Sequence, residues 1–179
     1  PDESTHLYMS KDLISYFQNP LELAWDGDLP FSDEERIRAI DAPLAKYLIG
    51  AVREIFSVPA LEADWDWGLS WEENRSAGAL PSREQLLFSR AGLTAVLPLC
   101  LWFFYRVLGQ NLPGIGALAG TLLLGLHPLL FLHGRRAMSE GLLLLGICFF
   151  LWAATRDQRN PWLIGLSLGL AISAKHSAI

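Results

Sequence analysis

Side chains that could bind a phosphate group and move a proton recur at several places in the sequence. Two adjacent carboxylates stand near its start, and the stretch HGRRAMSE places two arginines ahead of a further acid. Arginine binds phosphate through a planar, bidentate fork, lysine adds a point charge, and a nearby carboxylate can take a proton from an attacking hydroxyl. The candidate site residues are Asp2, Glu3, His133, Arg135, Arg136, Glu140, Lys175 and His176. Together they favour an anion site beside a proton acceptor.

Histidines among these residues raise the alternative of a metal site. No pair of histidines or acids in the set has the close i, i+4 spacing of a helical zinc motif. We therefore expect no metal and no cofactor, and a divalent metal is the less favoured alternative.

The chain divides into two halves of opposite charge. Residues 1–88 carry 17 acids and 7 Lys or Arg, a net charge of −10, whereas residues 89–179 carry 2 acids and 7 Lys or Arg, a net charge of +5. Such an asymmetry indicates that the halves occupy different environments.

The second half has the composition of membrane-spanning helices. Its apolar stretches are separated by the polar segments RVLGQN, HGRRAMSE and RDQRN, and a spanning helix needs roughly 20 mostly apolar residues. Only residues 112–132 reach this length unaided, and His127-Pro128 predicts a kink within them. The expected fold is an all-α polytopic membrane protein, with transmembrane helices at about 89–108, 112–132, 138–155 and 161–179. A soluble helical bundle is the alternative, but LLLLGICFFLWAA shows no polar face at helical spacing.

Residues 1–88 alternate helical patterns with turns. STHLYMSKDLISYF predicts one amphipathic helix capped by Ser4 or Thr5. RIRAIDAPLAKYLIGAVREIF predicts a helix that begins or breaks at Pro43, with positions 37, 40, 44, 48, 52 and 55 on one apolar face. ADWDWGLSWEEN carries three tryptophans in an acidic loop, which suits either a membrane–water interface or a surface loop anchored by its aromatics. In the second half, the pairs Gly116/Gly120 and Gly165/Gly169 permit close helix packing.

Several separate stretches, in this order, carry a resemblance to a known family. They are Asp2-Glu3, the segment Asp41-Ala42-Pro43-Leu44 entering a helix, Arg135 followed after four residues by Glu140, and Lys175-His176. The chain resembles the protein O-mannosyltransferases and the wider GT-C glycosyltransferases, which use polyprenyl-phosphate sugars and include the aminoarabinose transferases. It departs from the family at Asp41 and Ala42, where His and Pro are usual.

The resemblance implies an enzyme and its topology. The expected reaction moves a sugar, with mannose as the first candidate, from a polyprenyl phosphate to a hydroxyl group. The expected acceptor is Ser or Thr of a protein, and the configuration of the sugar is inverted. Asp2 would be the general base, and Glu3 would orient the site or contact a basic partner. Arg135, Arg136 and Lys175 would bind the donor phosphate, supported by His133, Glu140 and His176. The expected partners are this donor, a protein or lipid acceptor and the bilayer, with no nucleic acid.

Orientation in the membrane also follows from the resemblance. The charges flanking the predicted spans are three on one side and four on the other, so the positive-inside rule does not decide. The family places residues 1–88 as a long extracytoplasmic first loop with amphipathic helices, and the active site on the extracytoplasmic face of the inner membrane. It also has further helices before Pro1 and after Ile179, so we expect this chain to be an inactive fragment.

Two rival functions remain at this stage. One is a related transferase that moves another lipid-linked sugar to a lipid or glycan. The other is a transporter or structural membrane subunit whose ionisable residues line a pathway. A transporter predicts polar residues at mid-span, whereas the candidate residues cluster at one predicted interface.

Overall fold

The computed structural model describes residues 2–24, 32–156 and 160–175, and within them the chain is helical and contains no strand. The predicted all-α class is therefore confirmed. The chain divides into two compact units, Pro1–Gly92 and Leu93–Ile179, which are described separately.

The first unit is built from short helices with strong start signals. Ser32 and Ser70 each form a capping box with the glutamate three residues later, Glu35 and Glu73. Pro43 occupies the first position of its helix, as predicted. The helices are α1 (Asp2–Met9), α2 (Asp12–Gln18), α3 (Asp33–Ile40), α4 (Pro43–Phe56), α5 (Trp71–Ser76) and α6 (Arg83–Thr94), with a 3₁₀ turn at Pro20–Leu23.

The prediction of one helix over residues 4–17 is wrong. The first helix begins at Asp2, ahead of both predicted caps, and the chain breaks at Ser10-Lys11 before α2 starts. At this break α4 comes very close, because a Cβ on Gly50 would lie 2.5 Å from the carbonyl oxygen of Ser10. The Nη1 of Arg53 also donates a hydrogen bond to the Ser10 hydroxyl at 2.6 Å. Packing against α4 thus overrides the continuous helical pattern of the sequence.

The buried face of α4 is not the one predicted from the sequence. Ile55, at one of the predicted apolar positions in α4, is exposed, and so is Ile40, the last residue of α3. The side of α4 turned inwards consists of Ala45, Lys46, Ile49, Gly50 and Arg53. The two buried cations have polar partners earlier in the chain, Asp12 of α2 for Lys46 and Ser10, in the break before α2, for Arg53, and these partners favour burial of this face.

The second unit is built from longer apolar helices. They are α7 (Leu97–Leu108), α8 (Gly114–Gly125), α9 (Pro128–Gly134), α10 (Glu140–Thr155) and α11 (Pro161–Ala174). Helix α10 packs against α7 and α11. The core between α7 and α10 centres on Cys100, Phe103, Leu145 and Cys148. The ring of Phe103 stacks on Phe149 with centroids 4.7 Å apart, so this core is apolar and aromatic.

Close packing of α10 on α11 depends on a glycine outside the predicted pairs. A Cβ on Gly146 would lie 2.7 Å from the Cα of Ala171, which is backbone and cannot move aside cheaply. At Gly165 and Gly169 an added Cβ would meet no described atom within 4 Å. The close helix contact therefore lies at Gly146, where a neighbouring backbone fills the space.

Only part of the predicted membrane pattern is matched by helix length. Helices α6 and α7 follow each other with a short interruption, and when they are counted as one helix, Arg83–Leu108, its 26 residues are long and apolar enough to cross a membrane. Helices α8 and α9 pass the same test as a pair, but they are bent by 60° at the break before Pro128, where the kink was predicted. Helices α10 and α11 are apolar and shorter than a full span. Among the described residues one helix, or two with the bent pair, meets the criterion, and four spans stay a prediction.

Candidate functional site

The predicted acidic pair lies in the first turn of α1. Glu3 receives two hydrogen bonds from Arg90 of α6, from Nε to Oε1 at 2.9 Å and from Nη2 to Oε2 at 2.6 Å. This bidentate, charge-assisted contact holds both groups in one geometry. Arg90 is thus the basic partner expected for Glu3. The side chain of Asp2 lies outside the described part of the chain.

In the second unit, two predicted site residues that are 35 positions apart are in contact. Glu140 is the first residue of α10, and Lys175 follows the last residue of α11. The Nζ of Lys175 donates a hydrogen bond to Oε1 of Glu140 at 3.1 Å. Both side chains are partly exposed, so the pair lies at the surface of the unit. The antiparallel packing of α10 and α11 brings these residues together.

The two predicted phosphate-binding arginines, Arg135 and Arg136, lie just before Glu140 in the connection between α9 and α10. The guanidinium of Arg135 lies 5.3 Å from the ring centre of Phe131. Among the described residues, neither Arg135 nor Arg136 forms an ion pair with an acid. The Nδ1 atom of His133, one turn earlier, is buried and has no hydrogen-bond partner within the described chain. This connection therefore offers positive charge and a free polar atom.

Asp41, Ala42 and His176 are the remaining positions that the family resemblance singles out. Asp41 and Ala42 form the link between α3 and α4, where the family motif departs. His176 lies outside the described residues. Within the described ranges, no three His, Cys, Asp or Glu side chains come close enough to hold a metal ion.

The sequence analysis missed a buried charge network in the first unit. Asp12 is only 1% exposed. The guanidinium of Arg38 donates two hydrogen bonds to its carboxylate, from Nε at 3.1 Å and from Nη2 at 2.9 Å. The Nζ of Lys46, 4% exposed, donates a further hydrogen bond to Asp12 at 3.1 Å. Two cations thus face one buried carboxylate, and a second acid, Glu34, balances the charge by pairing with Arg38 at 3.0 Å.

Glu34 joins this network to α1 and to the residues that follow it. It accepts hydrogen bonds from Lys11 Nζ at 2.8 Å and from the Tyr8 hydroxyl. Partial burial opposes ionisation of Glu34, but the hydrogen bonds from Lys11 and Tyr8, with the charges of Lys11 and Arg38, lower its pKa to about 2. Glu34 is therefore a carboxylate throughout the physiological range.

One signal in the sequence could have identified this network. Lys46 and Arg53 are seven residues apart, two helical turns, in the middle of a helix whose other residues are largely apolar. A cation at such a position is rarely buried unless it is paired. The matching acid, Asp12, lies 34 residues earlier, and nothing local in the sequence indicates the pairing.

The acidic tryptophan loop lines a cavity of about 430 Å³ in the first unit. Trp65 contacts Trp67 and Trp71 with ring centres 6.3 and 5.7 Å apart, and the latter two are exposed. Asp64 accepts hydrogen bonds from the Thr5 hydroxyl and from the backbone of Trp65. Tyr8 and Glu34 complete the same cavity. The loop is therefore a surface loop anchored by aromatics, while its contact with a membrane stays a prediction.

Comparison with known proteins adds no relative to these observations. No protein-family model, curated protein or solved structure matches this chain. The resemblance to the polyprenyl-phosphate-dependent glycosyltransferases therefore stays a prediction that depends on the motifs alone.

Proposed function

We propose that this chain belongs to an integral membrane glycosyltransferase of the inner membrane. In this proposal the enzyme moves a sugar, mannose first among the candidates, from a polyprenyl phosphate to a hydroxyl of a protein, with the active site on the extracytoplasmic face. A lipid or glycan acceptor is the alternative within the same class. No metal or other cofactor is part of the proposed reaction.

The observation that carries the proposal is the Glu140–Lys175 contact beside two arginines that pair with no acid of the described chain. Arg135 and Arg136 precede Glu140 by five and four residues, so three cations gather around one short connection. The acid of the described chain at this connection is Glu140, whose single charge cannot neutralise all three cations. A phosphate group bound by these cations would supply the missing negative charge, and guanidinium groups suit it because they bind its oxygens in pairs.

The surface of the second unit supports placement in a bilayer. Helix α8 leaves large apolar side chains uncovered, with Ile115 82% and Leu123 75% exposed. Further exposed apolar residues on α8, α9 and α11 include Leu118, Leu122, Leu129, Phe131, Trp162 and Leu166. Water-soluble proteins rarely leave large apolar patches exposed, whereas lipid chains would cover such side chains.

The proposed reaction is a single displacement. The acceptor oxygen attacks the anomeric carbon, the bond from that carbon to the phosphate oxygen breaks, and the polyprenyl phosphate leaves with the electron pair. Asp2 takes the proton of the acceptor hydroxyl, while Arg135, Arg136 and Lys175 hold the phosphate as its charge grows. Glu140 positions Lys175, and Glu3 is positioned by Arg90. Because phosphate leaves as a weak base, one carboxylate suffices, unlike the pair that glycosidases use.

Two substitutions separate the chemical role from the binding role, in membranes from cells that express the protein. With Asp2→Asn, we expect turnover to fall by ~10²–10⁴ and donor affinity to stay nearly unchanged, because only the proton acceptor is lost. With Arg135→Ala, we expect donor binding to weaken by about 1.5–3 kcal/mol, with partial recovery in Arg135→Lys. Transfer of labelled sugar from a polyprenyl phosphate and equilibrium binding of that donor are the two measurements.

Arg75→Ala is the matched control, because Arg75 is an exposed arginine in α5 of the first unit. It should leave both transfer and donor binding unchanged. Near-normal turnover of the Asp2→Asn protein at normal expression would remove Asp2 as the base. Unchanged donor binding in the Arg135→Ala protein would remove the phosphate site at this connection.

A further inference from the structure

A cavity lined by two arginines lies in the second unit, at the other end of α10 from its connection with α9. It has a volume of about 670 Å³ and is formed where α7 and α10 end, within the size range of ligand sites. Its lining includes Tyr105, Arg106, Gln110, Trp152, Thr155 and Arg156. Its described lining contains two arginines and no acidic side chain.

Both arginines of this cavity rest on tryptophan rings. The guanidinium of Arg106 lies 5.8 Å from the ring centre of Trp102, and that of Arg156 lies 4.7 Å from Trp152. The two tryptophans are themselves neighbours, with ring centres 6.1 Å apart. Stacking on an aromatic face orients the planar guanidinium groups. The arginines are therefore positioned by packing on their own helices.

Charge in the cavity is only partly balanced within the described chain. Neither Arg106 nor Arg156 forms an ion pair with a described acid. Each helix end contributes about half a negative charge, which is a reason for an arginine in the last turn but leaves two guanidinium groups underneutralised. Gln110 and Tyr105 add hydrogen-bond donors at the same place. A single bound anion would satisfy both arginines.

Apolar surface continues from this cavity along the helices that form it. Leu99 and Trp102 on α7, and Ile147 and Leu151 on α10, are exposed large apolar side chains. A free phosphate ion would use the arginines and leave this surface uncovered. A phospholipid would use both parts, with its headgroup phosphate on the arginines and its acyl chains along the helices. Tryptophan and arginine at a helix end also suit the membrane–water interface.

We propose that the cavity between the ends of α7 and α10 binds the phosphate of an anionic phospholipid. This lipid site rests on the membrane part of the proposed function and is independent of its chemistry. It requires no sugar donor and includes none of the candidate catalytic residues. The lipid would fix how the ends of α7 and α10 sit in the bilayer.

Native mass spectrometry of the chain in neutral detergent tests this site. Phosphatidylglycerol should bind about tenfold more tightly than phosphatidylcholine with the same acyl chains, because two arginines face the uncompensated phosphate. The double variant Arg106→Gln/Arg156→Gln should bind both lipids alike. Arg75→Gln, which removes an exposed arginine elsewhere, should keep the preference. If the double variant misfolds by circular dichroism, Arg106→Lys/Arg156→Lys keeps the charge and should retain part of the preference.

Each other outcome overturns the proposal in an identifiable way. Equal binding of the two lipids to the unmodified chain would exclude the headgroup site, and so would an undiminished preference in the glutamine double variant. Either result would leave the proposed glycosyltransferase function untouched. Inorganic phosphate that competes at the same concentration as phosphatidylglycerol would make the cavity a site for free anions. A chain that stays monodisperse without detergent would overturn its membrane placement, and with it the membrane part of the proposed function.

Discussion

The two units handle their charged side chains in opposite ways. In the first, Asp12 and Lys46 are buried together, and Arg38 and Glu34 complete a closed network of opposite charges. In the second, the interior is apolar and aromatic around Phe103. Lys175 pairs with Glu140 at its surface, but the described arginines of this unit, Arg106, Arg135, Arg136 and Arg156, form no ion pair with any acid in the described chain.

This difference separates structural charge from charge available to a ligand. A buried pair that is fully hydrogen-bonded holds a particular arrangement of helices, and its members are not free to bind anything else. Cations at helix ends without acidic partners contribute little to packing and can still bind an anion. The abundance of charge in residues 1–88 therefore says less about function than the few cations of the second unit.

The largest effect is expected from breaking the buried network of the first unit. Asp12→Ala leaves Lys46 buried without its carboxylate and removes the bidentate partner of Arg38. Removing one member of a buried pair typically costs ~3–5 kcal/mol. Urea unfolding of the chain in detergent, followed by circular dichroism, should therefore show a transition at a lower urea concentration than in the unmodified chain.

Two variants control for this result. Glu22→Ala removes an exposed acid that accepts a hydrogen bond from nearby Asn19 and should change the unfolding free energy by less than ~0.5 kcal/mol. Lys46→Met leaves Asp12 paired with Arg38 and should cost less than Asp12→Ala. If Asp12→Ala unfolds like the unmodified chain, the network is not what holds α2, α3 and α4 together.

The same contrast explains which parts of the structure could be predicted from the sequence. Turn and start signals are local, so the start of α4 at Pro43 and the kink at His127-Pro128 were predicted correctly. The buried face of α4 was not, because Lys46 faces inwards in a pair with Asp12, which lies 34 residues away in the sequence. The Glu140–Lys175 contact was predicted only as membership of one site, since the pairing depends on how α10 and α11 pack.

The second prediction tests the apolar packing of the second unit. Gly146→Ala would place a methyl group 2.7 Å from the Cα of Ala171, so the two helices must separate, and overpacking of this kind costs ~1–3 kcal/mol. Urea unfolding followed by circular dichroism should show this loss of stability. Gly165→Ala, where the added methyl meets no described atom within 4 Å, should leave the free energy of unfolding nearly unchanged. Equal free energies of unfolding in the two variants would contradict the close contact of α10 and α11.

The third prediction concerns acid. The pKa of Glu34 lies near 2 rather than at its ordinary value of 4.5, so its carboxylate stabilises the first unit fully above pH 4.5. That contribution is lost as the pH falls from 4.5 towards 2. Glu34→Gln should therefore be less stable than the unmodified chain at pH 7, with the difference shrinking across this interval. Thermal unfolding at a series of pH values measures it, and Glu72→Gln, at an exposed acid of α5, is the control. A stability difference that is constant with pH would show that Glu34 acts through packing.

The smallest effect is expected at the Glu3–Arg90 contact, and it bears directly on the candidate site. Arg90 is about half exposed, and exposed ion pairs typically contribute only ~0.2–1 kcal/mol. A double-mutant cycle with Glu3→Gln and Arg90→Gln should therefore give a coupling energy in this range for unfolding. If Arg90 positions Glu3 for the proposed reaction, the same cycle measured on the transfer rate should give a larger coupling energy. Both single variants would then act through the same group, the positioned Glu3 carboxylate. Equal coupling in unfolding and in transfer would make the contact an ordinary surface ion pair, and the acidic pair would then depend on Asp2 alone for its proposed chemistry.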